Sequence, residues 1–386
     1  MIPEQDEHRL IRESVGAIAA GFGHRYFTEK ARRGERSREL WQAIADAGFV
    51  GVAIPEEYGG GGMGITELTV VIEELGRHGC PLLMLIVSPA ICGSVITAHG
   101  TSEQKRRWLP AIASGREIMA FAITEPDAGS NSHHIATTAR RTGDGWRIAG
   151  AKTFISGVDE ARWILVVART DRDEATRQGR LSLFVVPTDS PGLEADPIPM
   201  ELVAPERQYT LFFDDVTVPA DALVGEEHDG LRAVFSGLNP ERITGAAVCN
   251  GLSRYALDKA AAYAGDRQVW GVPIGAHQGI AHPLAESYID VQLARLATWR
   301  AADLHDRGGD PRATGEAANI AKFAAAEAFC RAMDQAIQTH GGNGLSSEYG
   351  LADLWFVGRL LKTAPISREM ILNFVAAHSL HLPRSY

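Results

Sequence analysis

The hydrophobic period of this chain changes twice, and that double change constrains its fold more than any single motif. Up to about Gly115 apolar residues recur with helical spacing: Leu68, Val71, Ile72 and Leu75 stand at i, i+3, i+4 and i+7, one buried helix face. From about Phe121 to Gly225 the pattern becomes short β-branched and aromatic runs at 163–168, 181–186 and 210–213. Turn sequences such as Thr142-Gly-Asp-Gly145 and Asp189-Ser-Pro-Gly192 separate them, which predicts a small antiparallel barrel or sandwich. After Gly230 the helical period returns. Ile289, Leu293, Leu296 and Arg300 follow one stripe and Phe329, Met333 and Ile337 another, with a short connection at 307–311, the signature of an antiparallel bundle. Helices, then strands, then helices is an α+β order, not a βαβ alternation. It predicts a helical domain over residues 1–118, a β domain over 119–228 and a helical bundle over 229–386.

Composition narrows the function classes. At 386 residues the chain has room for two or three domains, and 45% apolar with 22% charged residues is an ordinary globular balance. A formal net charge of −10 argues against a nucleic-acid groove, so a phosphate-bearing ligand must be met by local donors. Cys80, Cys92, Cys249 and Cys330 lack metal-like spacing and sit in apolar stretches, which predicts buried free thiols in a reducing compartment. The opening Met1-Ile-Pro-Glu-Gln-Asp-Glu-His-Arg-Leu10 lacks the apolar core of a secretory signal, and the longest greasy run, 81–92, is too short to span a bilayer. A cytoplasmic protein without a membrane span is the expectation. The glycine-rich run Pro55-Glu-Glu-Tyr-Gly-Gly-Gly-Gly-Met-Gly64 lacks the Gly-Lys-Ser/Thr ending of a phosphate loop and reads as a flexible turn. His133 and His134 would point apart on a strand and have no acidic partner nearby, so no metal site is expected.

Two motifs in the β zone carry chemistry. The first is Phe121-Ala-Ile123-Thr124-Glu-Pro-Asp-Ala-Gly-Ser130; the second, further along, is Gly150-Ala-Lys-Thr-Phe154-Ile-Ser156-Gly157. Thr124 and Ser156 bring hydroxyls that donate and accept, and Phe154 brings an apolar plate. Alone, each half is a turn or an ordinary strand. In this order the pair resembles the flavin-binding signatures of the acyl-CoA dehydrogenase family, and the likeness extends over essentially the whole chain. The family's fold is an N-terminal helical domain, a middle β domain and a C-terminal four-helix bundle.

That resemblance implies FAD as cofactor, an acyl-CoA substrate and an electron-transferring flavoprotein as acceptor, in a homotetramer built as a dimer of dimers. It implies that Ile123, Thr124 and Ser130 line the flavin and thioester side, and that Phe154 and Ser156 cover the ring. Ser156 stands where relatives usually have Thr, and Asn131 where many have Asp. Asp266-Arg267-Gln-Val-Trp270-Gly271 with Gln278 resembles elements that reach a flavin held mainly by a neighbouring subunit; an Arg fork suits a diphosphate. Gln338-Thr-His-Gly341-Gly342-Asn-Gly344 resembles the turn that approaches the adenosine diphosphate of FAD, where glycines admit close phosphate approach; it is equally a helix C-cap.

The base is where the chain departs from the common pattern. Most relatives carry a Glu in a C-terminal Tyr-Glu-Gly-Thr segment; the equivalent here is Ala364-Pro365-Ile366-Ser367, with Ser367 on the cofactor side. Pro365 is neither a base nor an N–H donor to a thioester carbonyl. A minority of the family, including isovaleryl-CoA and long-chain enzymes, places the base on the first helix of the C-terminal domain in a Leu-x-x-Glu-Arg pattern. This chain has Leu238-Asn-Pro240-Glu241-Arg242, so Glu241 is the candidate base and Arg242 part of the substrate wall. Pro240 suits a first turn, which would put Glu241 at the opening of its helix, where its charge could instead serve only the macrodipole. Ala364, in place of a bulky Tyr, hints at a wider acyl pocket. Two alternatives stay open: a flavin oxidase, monooxygenase or desulfinase-like enzyme on the same fold, or a non-catalytic subunit that completes a partner's flavin site.

Overall fold

A computed structural model describes residues 5–176 and 178–384, so the opening tetrapeptide of the N-terminal reading lies outside the described residues. The first zone folds into helices α1 (Asp6–Ala20), α2 (Gly23–Arg33), α3 (Arg38–Asp46), α4 (Ile65–Arg77), α5 (Ser94–His99) and α6 (Ser102–Ala113). Leu68, Val71, Ile72 and Leu75 are all buried on α4, as their spacing requires. The first turn of α4 is capped at both levels: Glu67 accepts the Gly64 N–H at 2.7 Å, and Asp306, from the far end of the chain, accepts those of Ile65 and Thr66 at 2.8 Å. The glycine run before it is not a flexible turn. Gly61, Gly62 and Met63 donate to the carbonyls of Gly51, Ile54 and Val52, and a Cβ on Gly60 would collide with the Ile54 carbonyl. The greasy run folds as a buried π-helical segment, Ile86–Gly93, against α7 and β1. Among the described residues no helix is long and apolar enough to cross a membrane.

The middle zone forms β1 (Ile118–Ala122), β2 (Thr138–Thr142), β3 (Gly145–Ser156), β4 (Ala161–Arg172), β5 (Gly179–Pro187), β6 (Leu193–Ile198), β7 (Gln208–Pro219) and β8 (Leu223–Val224). They make one sheet in the order β6-β7-β3-β2-β4-β5-β8, with β1 beside β4. The sheet is antiparallel except that β1 and β2 each run parallel to β4. A parallel neighbour needs a crossover, and the excursion from β1 through β2 and β3 provides it. Residues 164–168 of β4 are wholly buried. His133 and His134 sit in a 3-10 turn, Ser132–His134, not on a strand.

The third zone is α7 (Gly230–Asp266), a short hairpin of β9 (Gln268–Val269) and β10 (Val272–Pro273), α8 (Gln278–Asp306), α9 (Pro311–His340), α10 (Trp355–Thr363) and α11 (Arg368–His378). The three long helices pack together on alanine-rich faces, and α10 and α11 share the remaining side of the bundle. Gly251 lets α7 touch α4 backbone to backbone: a Cβ there would meet the Glu73 carbonyl and Gly76. Two expectations need correction. The helix carrying Glu241 begins at Gly230, so Pro240 and Glu241 lie in its interior; proline's fixed φ is helical, and only one carbonyl loses its N–H partner. The macrodipole reading of Glu241 therefore falls. The Ile289, Leu293 and Leu296 stripe is helical but faces outward, 56, 58 and 47% exposed, because α8 turns its smaller Ala294, Thr298 and Ala301 to the bundle. Phe329 and Met333 are buried as expected. All four cysteines are free; Cys330 is only half-buried.

Candidate active site

The β-domain wall is built around a buried ion pair. Lys152, fully buried on β3, donates to Glu125 Oε1 and to the Ile123 carbonyl, each at 2.9 Å. Glu125 also accepts the N–H groups of Ala136 at 2.6 Å and Thr137 at 3.0 Å. Burial pushes the Glu125 carboxyl upward, but Lys152 and these donors outweigh it and hold the group below its ordinary value. Burial takes the Lys152 ammonium down to about 8 against the pull of Glu125. The pair fastens the loop after β1 to β3, with Thr153 N–H donating to the Thr124 carbonyl at 2.9 Å.

The next residue on β3 is held in an unusual way. Phe154 has φ 56, in the left-handed region, at a break in the β3–β7 register, and the residue is 57% exposed. Such a conformation costs on the order of 1 kcal/mol or more for a non-glycine residue and persists only where the surroundings fix it. Ser156 follows, half-buried, its hydroxyl donating to Gln208 Oε1 at 3.0 Å. Ser130 lies exposed beyond the Glu125–Ala128 turn. An exposed aromatic plate beside two hydroxyls, Thr124 and Ser156, fits a planar polar ring such as a flavin.

Glu241 projects from α7 in different surroundings. It is half-buried, and among the described residues no hydrogen bond or ion pair reaches its carboxylate. Burial pushes it up to about 7, with Arg242 and then Lys322 pulling back down. Arg242 is buried, donates to Asn239 Oδ1 at 2.9 Å and lies over the Phe235 ring. Lys322, on α9, donates to the Ile366 carbonyl at 2.6 Å, which brings the turn at 364–367 to the same corner. Within that turn Ala364 and Ser367 are half-buried and Pro365 is exposed; the Ser367 hydroxyl caps α11 by accepting the Met370 N–H at 3.3 Å.

A third group of residues occupies one end of the bundle. Arg267 caps α7 and is exposed, Trp270 is 88% exposed with φ 50 at the hairpin tip, and exposed Gln278 opens α8. Tyr263, one turn before Arg267, stacks on His340 at 4.3 Å, so the end of α7 meets the end of α9. There Gln338 is exposed, Gly341 has φ 60, and a Cβ on Gly341 or Gly342 would meet nothing within 4 Å. Open glycine backbone beside an uncommitted guanidinium fits a diphosphate. Among the described residues no hydrogen bond, ion pair or ring contact joins this group to the Thr124–Ser156 wall. The two groups of residues are therefore separate within one chain.

Sequence reasoning missed Lys322 and the Glu125–Lys152 pair. Lys322 had a visible signal: a lone cation in the alanine face Ala318, Ala321, Ala325 and Phe329 of α9. Among the described residues no group of three or more His, Cys, Asp or Glu side chains could hold a metal.

Comparison with known proteins matches all three zones. Family models of the acyl-CoA dehydrogenase N-terminal, middle and C-terminal domains match residues 5–116, 120–216 and 228–380. Acyl-CoA dehydrogenase FadE12 of Mycobacterium tuberculosis is 56% identical over 383 residues, 99% of this chain and 98% of that protein. Among solved structures, a glutaryl-CoA dehydrogenase in complex with glutaryl-CoA superposes with a TM-score of 0.94 at 29% identity, covering 100% of this chain and 98% of that one. Butyryl-CoA dehydrogenase from Megasphaera elsdenii gives a TM-score of 0.92 at 26% identity, covering 99 and 100%.

Proposed function

Because this chain belongs to the acyl-CoA dehydrogenase family and is an FAD-dependent oxidoreductase, we propose that it oxidises an acyl-CoA thioester to the 2-enoyl-CoA with Glu241 as the base. Bound FAD supplies the two-electron acceptor for the hydride leaving the β carbon. The protein's own part is to hold, orient and deprotonate. Phe154 and the hydroxyls of Thr124 and Ser156 form the wall for the ring, with Ile123 and Ser130 beside it. Arg267, Trp270, Gln278, Gln338, Gly341 and Gly342 serve the diphosphate end of a cofactor shared with a neighbouring copy. Arg242 and Ala364 border the acyl group, and Ser367 sits at the adjoining turn.

The observation that carries this reading is the state of Glu241. A carboxylate without a hydrogen-bonded partner, raised to about 7 by burial, is matched to taking a proton from the α carbon near neutral pH. Its pattern also accounts for Pro365, since the base need not come from the C-terminal turn. The exposed stripe of Ile289, Leu293 and Leu296 supports assembly of copies, as a homotetramer in this reading, and cytoplasmic electron-transferring flavoprotein is the acceptor.

An anaerobic titration of the purified yellow protein with a panel of acyl-CoAs tests the proposal. Bleaching of the flavin band by one class of thioester is the expected result, and branched, cyclic or larger acyl groups should bleach it fastest. Firmly bound flavin that no thioester bleaches would discard the dehydrogenase. Rapid peroxide release in air would point instead to an oxidase, and a colourless protein unable to take up FAD to a non-catalytic subunit.

A further inference from the structure

We propose that Lys322 is a positioning residue for the Glu241 carboxylate, clamping the 364–367 turn through the Ile366 carbonyl and setting a buried ammonium, charged at neutral pH, within electrostatic reach of the base. The proposal rests on the reading of Glu241 as that base.

Lys322 is 2% exposed on the bundle-facing side of α9, a costly place for an ammonium. Among the described residues its one hydrogen bond runs to the Ile366 carbonyl at 2.6 Å. A neutral Gln or Asn could serve a carbonyl without burying a charge, so the charge needs a second use. The groups facing Lys322 are Cys249, Arg242 and Glu241 from α7 and Glu369 from α11. The Cys249 thiol is driven far up by burial and is neutral, and Arg242 repels. Glu369 stands 74% exposed in solvent, where its attraction is screened. Glu241 is the remaining anion.

Seen from Glu241, the facing groups are Arg242 on its own helix, Lys322 on α9, and Cys92 on the π-helical segment. Burial and the Glu241 charge both raise the Cys92 thiol, so it too stays neutral. Arg242 is already committed to Asn239. Two cations without direct contact thus favour the ionised carboxylate while leaving its oxygens free to take a proton. The turn that Lys322 holds is the one where Pro365 offers no N–H, so its position depends on donors reaching its carbonyls.

The test uses the FAD-loaded enzyme, with Lys322→Met removing the cation and Lys322→Gln removing charge while keeping a donor for Ile366. Flavin content and melting temperature confirm folding, and the Gln variant keeps the experiment decisive if the Met variant fails to fold. The pH dependence of the flavin-reduction rate is measured alongside infrared difference spectra of the protonated carboxyl, a readout without turnover. Loss of the cation disfavours the carboxylate, so the acid limb and the infrared titration should both move up by about one pH unit. A lower rate with both titrations unmoved would leave Lys322 a purely structural anchor and overturn the proposal. Full activity in Glu241→Gln would remove the base reading itself, and the proposal with it; that outcome is separate, because it does not involve Lys322.

Discussion

Glu73 and Glu241 are both glutamates set into helices that pack on one another, α4 and α7, and they titrate in opposite directions. Glu73, on α4, is 1% exposed and its Oε1 accepts Arg254 Nη1 at 2.7 Å, Arg295 Nε at 2.9 Å and Arg12 Nη1 at 3.4 Å. Burial alone would push it up, but three guanidinium groups hold it below its ordinary value. Glu241, on α7, meets its cations without touching them and rises to about 7. The difference follows the partners, since depth alone would raise the more deeply buried Glu73 further. A carboxylate saturated by donors fastens helices together, here α1, α4, α7 and α8; one left unsaturated keeps a proton site near neutral pH.

Removing each carboxylate should separate the two roles. Glu241→Gln should keep bound FAD and fold normally, yet lose roughly 100- to 10,000-fold in the rate of flavin reduction, about 3–5 kcal/mol of barrier. Folding stability should be unchanged or slightly higher, because a buried charge is gone. Glu73→Gln should do the reverse. It removes the main anionic partner of Arg254 and Arg295 and a second one of Arg12, and should cost about 3 kcal/mol or more of stability, measured by denaturant unfolding. The rate per folded, flavin-loaded enzyme should hardly change. A Glu73 variant that is stable but slow would break the contrast.

The same comparison fixes the pH response. Glu241 is active only when ionised, so the rate should rise with pH through about 7 and flatten above it. Glu73, held below its ordinary value, stays ionised across that range and contributes no limb. A rate already flat at pH 5 would detach catalysis from Glu241.

Much of the fold and part of the site could be read from local pattern. The period changes mark the order of helices and strands, because burial of one face follows from spacing alone. Thr124 lies close to the Phe154–Ser156 stretch because Lys152 and the Thr153 N–H fasten the loop after β1 to β3. What escaped depends on distant partners. Pro240 looks like a helix start, but α7 gains its earlier turns by packing Gly230 and Gly237 closely against β5 and the π-helical segment. The outward stripe of α8 has the right period for a core face, and period does not say which of two faces meets the bundle. Glu73 draws its arginines from three other helices, and Lys322 meets Ile366 across a connection; neither pairing has a local signature.

Glu206 is an intermediate case that sharpens the rule. It is buried and accepts the Leu83 N–H at 3.0 Å, and among the described residues no cation pairs with it. Burial, then the nearby Glu160, raise it to about 7. Glu160 is raised to about 7 as well, by burial and Asp159. A carboxyl raised in the folded state binds its proton more tightly there than when unfolded. Its contribution to stability is full below the ordinary carboxyl range and is lost as pH rises through about 7. Glu206→Gln keeps the acceptor for Leu83 and removes the titration. It should therefore gain about 1–2 kcal/mol over the natural protein at pH 8 and almost nothing at pH 5, read from melting curves at the two values. An equal gain at both would mean that the fold does not raise Glu206, and that the single Leu83 donor keeps it an ordinary carboxylate. Because Glu206 lies beside Arg207 and Gln208, next to the Ser156 hydroxyl, the flavin content of the variant should be recorded in the same experiment. Unchanged content would confine the effect to stability and leave Glu241 the one raised carboxyl whose proton matters to the reaction.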